Sequence, residues 1–179
     1  MKPQISVFLP AAILALSVQC VATTLPDACG ADSVRFEVKT QKSQPPPAAP
    51  GAGMAQIVFI ENFEQNQGFC IGCKVTTRVG VDGAWVGANL GNSYFAYSVQ
   101  PGEHHLCVDW QSNLGRLKQK VGLASLTAEA GRAYYYEIKV RIKQYETTVE
   151  KNLDLEPLDG DEGRYLTKIT PLASATAKK

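Results

Sequence analysis

His104, His105, Cys107 and Asp109 crowd into one short segment, and they are residue types that ligate zinc and other transition ions. Distance argues against a site built from this segment alone. On an extended strand His105, Cys107 and Asp109 share a face, with same-face neighbours about 6.6 Å apart and the outer two about 13 Å apart. One ion cannot span that gap without ligands from another strand, and a His-x-Cys start also requires Cys107 as a free thiolate. The chain holds no further histidine. We therefore expect no metal and no cofactor, only a strand that opens on a polar pair beside a turn.

Cys70 and Cys73 form a second candidate. A redox Cys-x-x-Cys places its first sulfur at a helix N-terminus, which stabilises the thiolate. Here the motif lies between a loop and a strand beginning at Lys74, so the expectation is a structural disulfide. No Gly-x-Ser-x-Gly elbow accompanies the histidines, which weakens a Ser-His-Asp reading. No catalytic residue is assigned, and the protein is read as a non-enzyme. The alternative is a thiol-disulfide or metal-dependent enzyme using Cys70 and Cys73 or His105. A further alternative is small-ligand or glycan binding through surface aromatics. Of Trp85, Tyr94, Tyr97, Trp110, Tyr134, Tyr135 and Tyr136, the candidates for surface binding are Tyr135 and Trp85.

The elements that must position these residues are strands. Asp82-Gly83 is the dipeptide of a type I′ hairpin turn, set between Val79-Gly80-Val81 and Ala84-Trp85-Val86. A two-residue loop places Val81 opposite Ala84, Gly80 opposite Trp85 and Val79 opposite Val86, so the indole covers a strand glycine. The hairpin strands are read as 74–81 and 84–90. Gly91-Asn92 turns the chain into a strand over 93–99, on which Phe95, Tyr97 and Val99 share a face. Pro101-Gly102 then turns it into a strand on which Leu106, Val108 and Trp110 alternate with His105, Cys107 and Asp109.

Residues 34–39 alternate apolar and charged, the pattern of a half-buried strand, while 55–60 is an apolar run but for Gln56 and reads as a central strand covered on both faces. Between them, 44–53 is a Pro-rich linker. Residues 62–72 read as a loop, 113–120 as an exposed connection and 121–128 as a strand. After the Ala130-Gly131-Arg132 turn, Tyr134, Tyr136, Ile138, Val140 and Ile142 form a core face. Tyr135, Glu137, Lys139, Arg141 and Lys143 form a solvent face. A last strand carries Leu153 and Leu155 and ends at Pro157 on a sheet edge. Asp159 then caps a short helix whose apolar side is Tyr165, Leu166 and Ile169. About eight strands without βαβ alternation define the fold class: an all-β, antiparallel two-sheet β-sandwich with a short C-terminal helix.

Lys2, the apolar run from Ile5 to Val18 and small residues at Cys20 and Ala22 spell a secretory signal peptide. The division expected is 1–22 signal peptide, 23–54 N-terminal strand and Pro-rich linker, 55–172 β-sandwich domain, and 173–179 disordered tail. Cleavage after Ala22 would leave about 157 of the 179 residues, enough for one well-packed domain. A retained N-terminal segment, or lipidation of Cys20, is the alternative that would attach the protein to a membrane. The four remaining cysteines, an even number in an exported chain, suggest two disulfides. A local Cys70–Cys73 bond would leave Cys29 to pair with Cys107, though four cysteines permit three pairings. With 18 basic and 17 acidic side chains the chain carries no charge excess that would draw nucleic acid.

The motifs VDGAWVGAN, SYFAYSVQPGEHHLCVDW and TAEAGRAYYYEIKV together resemble the bacterial envelope proteins catalogued as domain of unknown function 2846, over roughly residues 55–140. The order of parts is similar to PEGA-type modules, small β-sandwiches of bacterial surface and periplasmic proteins. That resemblance implies an exported β-sandwich, often on a lipoprotein, and brings no catalytic residues. The functional expectation is a non-enzymatic module of the cell envelope, periplasmic or extracellular, that binds a protein or cell-wall partner.

Overall fold

A computed structural model describes residues 26–41, 47, 49–62, 75–111, 118–144 and 149–178. Within them are eleven strands and one helix: β1 (Phe36–Gln41), β2 (Ala55–Glu61), β3 (Thr76–Val81), β4 (Ala84–Leu90), β5 (Ser93–Val99), β6 (Gly102–Trp110), β7 (Lys118–Lys120), β8 (Gly122–Ala128), β9 (Ala133–Gln144), β10 (Val149–Leu158), α1 (Gly160–Ile169) and β11 (Leu172–Ala177). They form two packed sheets, in the orders β1-β11-β5-β2-β9-β10-β7 and β4-β3-β6-β8. The all-β sandwich expected from the alternation is present, with additional strands at the margins of the larger sheet. Among the described residues no helix is long and apolar enough to cross a membrane.

The core lies between the sheets and follows the twofold period of each strand. Ile57 and Phe59 on β2, Tyr136 and Ile138 on β9, and Leu153 and Leu155 on β10 pack against Val79 and Val81 on β3 and Leu106, Val108 and Trp110 on β6. Each fully buried aliphatic side chain contributes about 1.5–3 kcal/mol. The opposite face of β2 presents Val58 and Ile60 to a separate apolar cluster with Tyr94, Tyr135 and Leu166 of the helix. The helix lies on that outer face, which explains why β2 is apolar on both faces from Ile57 to Ile60.

Asp82 and Gly83 adopt φ values of 52° and 81°, as the tight hairpin turn requires. Val81 faces Ala84 and Gly80 faces Trp85, but Val79 pairs with Gly87 rather than Val86. A bulge inserts Val86, and it re-aims the remainder of β4. Gly87 is needed there, because a Cβ would lie 2.2 Å from the ring of Phe95.

Four other expectations are corrected. Residues 173–179 are not a disordered tail through their described part: β11 pairs in register with all of β1 and touches β5 at Leu172–Tyr94. Its small residues suit a strand flanked on both sides, with Ala173 buried. The connection 113–120 ends in β7, which runs parallel to β10. The helix buries Gly163, Leu166 and Thr167, leaving Tyr165 and Ile169 60% and 56% exposed. Tyr135 and Glu137 on β9 are buried, because the helix and β10 cover what the alternation marked as a solvent face. The cap is as expected: the Asp159 carboxylate accepts from the backbone N–H groups of Asp161 and Glu162. Signal segment 1–22 and Cys20, Cys70 and Cys73 lie outside the described residues.

Candidate functional site

Of the residues that sequence singled out for chemistry, His104, His105, Cys107, Asp109 and Trp85 sit on or beside the outer face of the four-stranded sheet. Cys107 is bonded to Cys29, with a Cα–Cα distance of 5.2 Å across 78 residues of chain. Closing so long a loop contributes about 4–5 kcal/mol in the chain-entropy account. Asp109, two positions along, receives Nε and Nη2 of Arg78 at 3.1 and 2.6 Å. Arg78 is only 1% exposed. Its Nη1 donates to the carbonyls of Asp32 and Val34, its Nη2 also reaches the Asp32 carboxylate at 2.8 Å, and its guanidinium stacks over Trp85 at 4.3 Å.

These contacts make one structure. The segment 27–35 crosses the outer face of β4, β3 and β6 and is held by the disulfide, by Arg78, by the Trp85 indole N–H on the Ala31 carbonyl, and by Gly83 N–H on the Ala28 carbonyl. Gly30 allows the approach, since a Cβ there would lie 2.4 Å from the Trp85 ring. At the far end Gln111 exchanges two hydrogen bonds with the backbone of Phe36, at 2.6 and 2.8 Å. The Arg78 guanidinium next to Asp32 holds that carboxyl below its usual range against a smaller effect of burial.

His104 is clamped between two turns. Its Nδ1 stands 2.7 Å from Asp82 Oδ2 and its Nε2 2.7 Å from the Gln100 carbonyl. Both partners are acceptors, so only the imidazolium satisfies them together. Burial disfavours the charge, yet the bonds to Asp82 and Gln100 outweigh it and raise the ring above its ordinary value. Asp82 is lowered in turn, burial being overcome by His104 and by the His105 N–H. His105 is exposed. Among the described residues no three His, Cys, Asp or Glu side chains gather as a metal site would require.

Trp85 and Tyr135, expected at the surface, are each 8% exposed. Trp85 lies under the N-terminal segment, and Tyr135 lies under the helix, where Gly163 meets its ring. The Trp85 ring is taken up by the Arg78 guanidinium and Gly30, and Tyr135 keeps only a small surface at the edge of a cleft.

Three features carried no sequence signal that alternation could reveal. Glu61 is fully buried at the end of β2; its Oε2 accepts the Thr77 hydroxyl at 2.8 Å, while among the described residues its Oε1 and the Oδ1 of Asn89 have no partner. Burial pushes this carboxyl well above its ordinary value, the Thr77 bond opposing weakly. A cleft of about 570 Å³ opens where β10 gives way to the helix, lined by Arg132, Tyr134, Pro157, Leu158 and Arg164 among others. A smaller recess of about 260 Å³ lies along β6 and β8, lined by Glu103, His104, His105, Ser125, Leu126 and Thr127. Compared with family models, curated proteins and solved structures, the chain matches none.

Proposed function

We propose that this chain is an exported, non-enzymatic β-sandwich module of the bacterial envelope that works by binding a protein or cell-wall partner. The observation that carries the reading is the Cys29–Cys107 disulfide, which fastens an N-terminal segment across a sheet and belongs to an oxidising compartment. The likeness of residues 55–140 to envelope proteins of the domain of unknown function 2846 type points the same way. So does the use made of the reactive side chains: Cys107 is in the disulfide, Asp109 neutralises Arg78, and His104 ties two turns together. A module of this kind presents its faces and edges to partners.

Expression of the full chain in a Gram-negative host, followed by fractionation and intact non-reduced mass spectrometry, tests this. The expected product is periplasmic or released, begins near Thr23 or carries a lipid on Cys20, and lacks reactive thiols at Cys29 and Cys107. A cytoplasmic product in which iodoacetamide labels both cysteines would overturn it.

A further inference from the structure

Among the described residues no strand pairs with the outer margin of β8, since β8 ends the four-stranded sheet. The direction of its backbone groups follows from β6. The His105 carbonyl accepts from the Asp82 N–H at 2.9 Å, and the His105 N–H donates to the Asp82 carboxylate at 2.8 Å. Both polar groups of His105 therefore point toward β3. Its antiparallel neighbour on β8 is Ser125. In an antiparallel ladder, a residue facing such a non-bonded position turns its own N–H and C=O to the other side. Ser125 thus points both groups outward, and the twofold period extends this to Leu123 and Thr127. Among the described residues the Ser125 carbonyl accepts only the Tyr136 hydroxyl, at a long 3.4 Å.

Edges of this kind are normally protected by lysine, proline or a bulge. β8 reads Gly-Leu-Ala-Ser-Leu-Thr-Ala, uncharged over all seven positions, with Leu123 49% exposed and Ser125 and Thr127 exposed. The recess along β6 and β8 adjoins it. Its one acidic wall is Glu103, which is exposed and lies directly across the ladder from Thr127, and among the described residues no cation pairs with it.

We propose that β8 receives an extended segment of a partner polypeptide as a further strand of the sheet, with a lysine or arginine of that segment reaching Glu103. Main-chain hydrogen bonds to Leu123, Ser125 and Thr127 supply the affinity, and the recess selects the side chain. The long stem of a basic residue can lie along the exposed outer face of Ser125 and Thr127 while its charge meets Glu103. Pairing of β8 with β8 of a second copy is disfavoured, because β8 has no basic residue to offer Glu103. This inference deepens the partner-binding reading and rests on it.

The test uses the isotopically labelled, oxidised protein and the peptide acetyl-Thr-Val-Thr-Lys-Thr-Val-Thr-amide. Saturable amide shifts and slowed exchange at Leu123, Ser125 and Thr127 are expected. Replacing the peptide lysine by glutamate should weaken binding about fivefold, a solvent-screened effect that Glu103→Gln removes. N-methylation of the peptide amides on one alternating set should abolish binding, and on the other set leave it intact. Ser125→Pro, which removes only an outward N–H, should abolish binding with an unchanged melting temperature. Absence of shifts on β8, equal binding of the lysine and glutamate peptides, or peptide-independent self-association lost in Ser125→Pro would each overturn the proposal. Those results leave the compartment and processing measurements untouched, so failure here is separable from failure of the envelope reading.

Discussion

Asp82 holds His104 through Nδ1 while its other oxygen accepts the backbone N–H of His105, so one turn residue fixes both histidines. The positive φ of Asp82 places its carboxylate there.

This clamp has a defined pH window. The raised imidazole contributes stability in full below the ordinary histidine value, and that contribution is lost as pH rises through the raised one. The lowered Asp82 contributes above the ordinary carboxylate value and is lost as pH falls through the lowered one. Because Asp82 is half exposed, the effect is about 1 kcal/mol or less. NMR titration of His104 should give a pKa above that of a free imidazole, and Asp82→Asn should bring it down. A ring that titrates identically in both proteins would refute the clamp.

Glu61 should behave in the opposite sense to an ordinary carboxylate. Its raised value means that the neutral acid suits the fold, so stability is lost as pH rises through that value. Glu61→Gln keeps a neutral group whose amide oxygen still accepts the Thr77 hydroxyl. At pH above that raised value the substitution should raise the melting temperature by about 3 °C, the shift that about 1 kcal/mol gives a domain of this size. In acid the two proteins should melt together.

Arg78 and its two carboxylates separate buried from exposed pairing. Asp109→Ala leaves a buried cation without its main partner and should cost about 3–5 kcal/mol, read by denaturant unfolding. Asp32→Asn removes a carboxylate that is 79% exposed and should cost about 1 kcal/mol or less. Equal losses from the two variants would show that the pairing was misjudged.

Gly163→Ala sets helix propensity against packing. The substitution favours a helix by about 1 kcal/mol in isolation. Here the new methyl would stand 2.1 Å from the Tyr135 ring, and forced overpacking costs about 1–3 kcal/mol. A net loss of stability is expected, relieved when Tyr135 is also replaced by alanine. A more stable single variant would mean that the helix does not rest on Tyr135.

The strands that alternate, the Asp82-Gly83 turn, the Asp159 cap and the apolar β2 were legible because each obeys a local rule that its tertiary neighbours do not oppose. What was hidden was second coverage. Arg78 stands on the outward phase of β3 and reads as solvated, since nothing in its own strand announces that segment 27–35 will lie over it. Tyr135 and Glu137 were misassigned for the same reason on the other sheet, where the covering elements are the helix and β10. Tyr165 and Ile169 look like a helix core until Gly163, which permits close approach, rotates the helix to bury its own side. The small residues of β11 carry no strand signal of their own, and Glu61 ends a strand whose other polar position, Gln56, is only half-buried. Of the candidate chemistry, the Cys29–Cys107 link was anticipated among three pairings, whereas the open margin of β8 becomes visible only when the register is known.

The place of β11 between β1 and β5 has a consequence for biosynthesis. β1 joins the large sheet only through β11, a partner translated after every other strand. Until Leu172 to Ala177 leave the ribosome, the whole of the earliest ribbon waits with a raw flank, while the fifth lacks a single bridge at Tyr94. A product cut short before Leu172 would therefore bare one full adhesive border, an invitation to clumping.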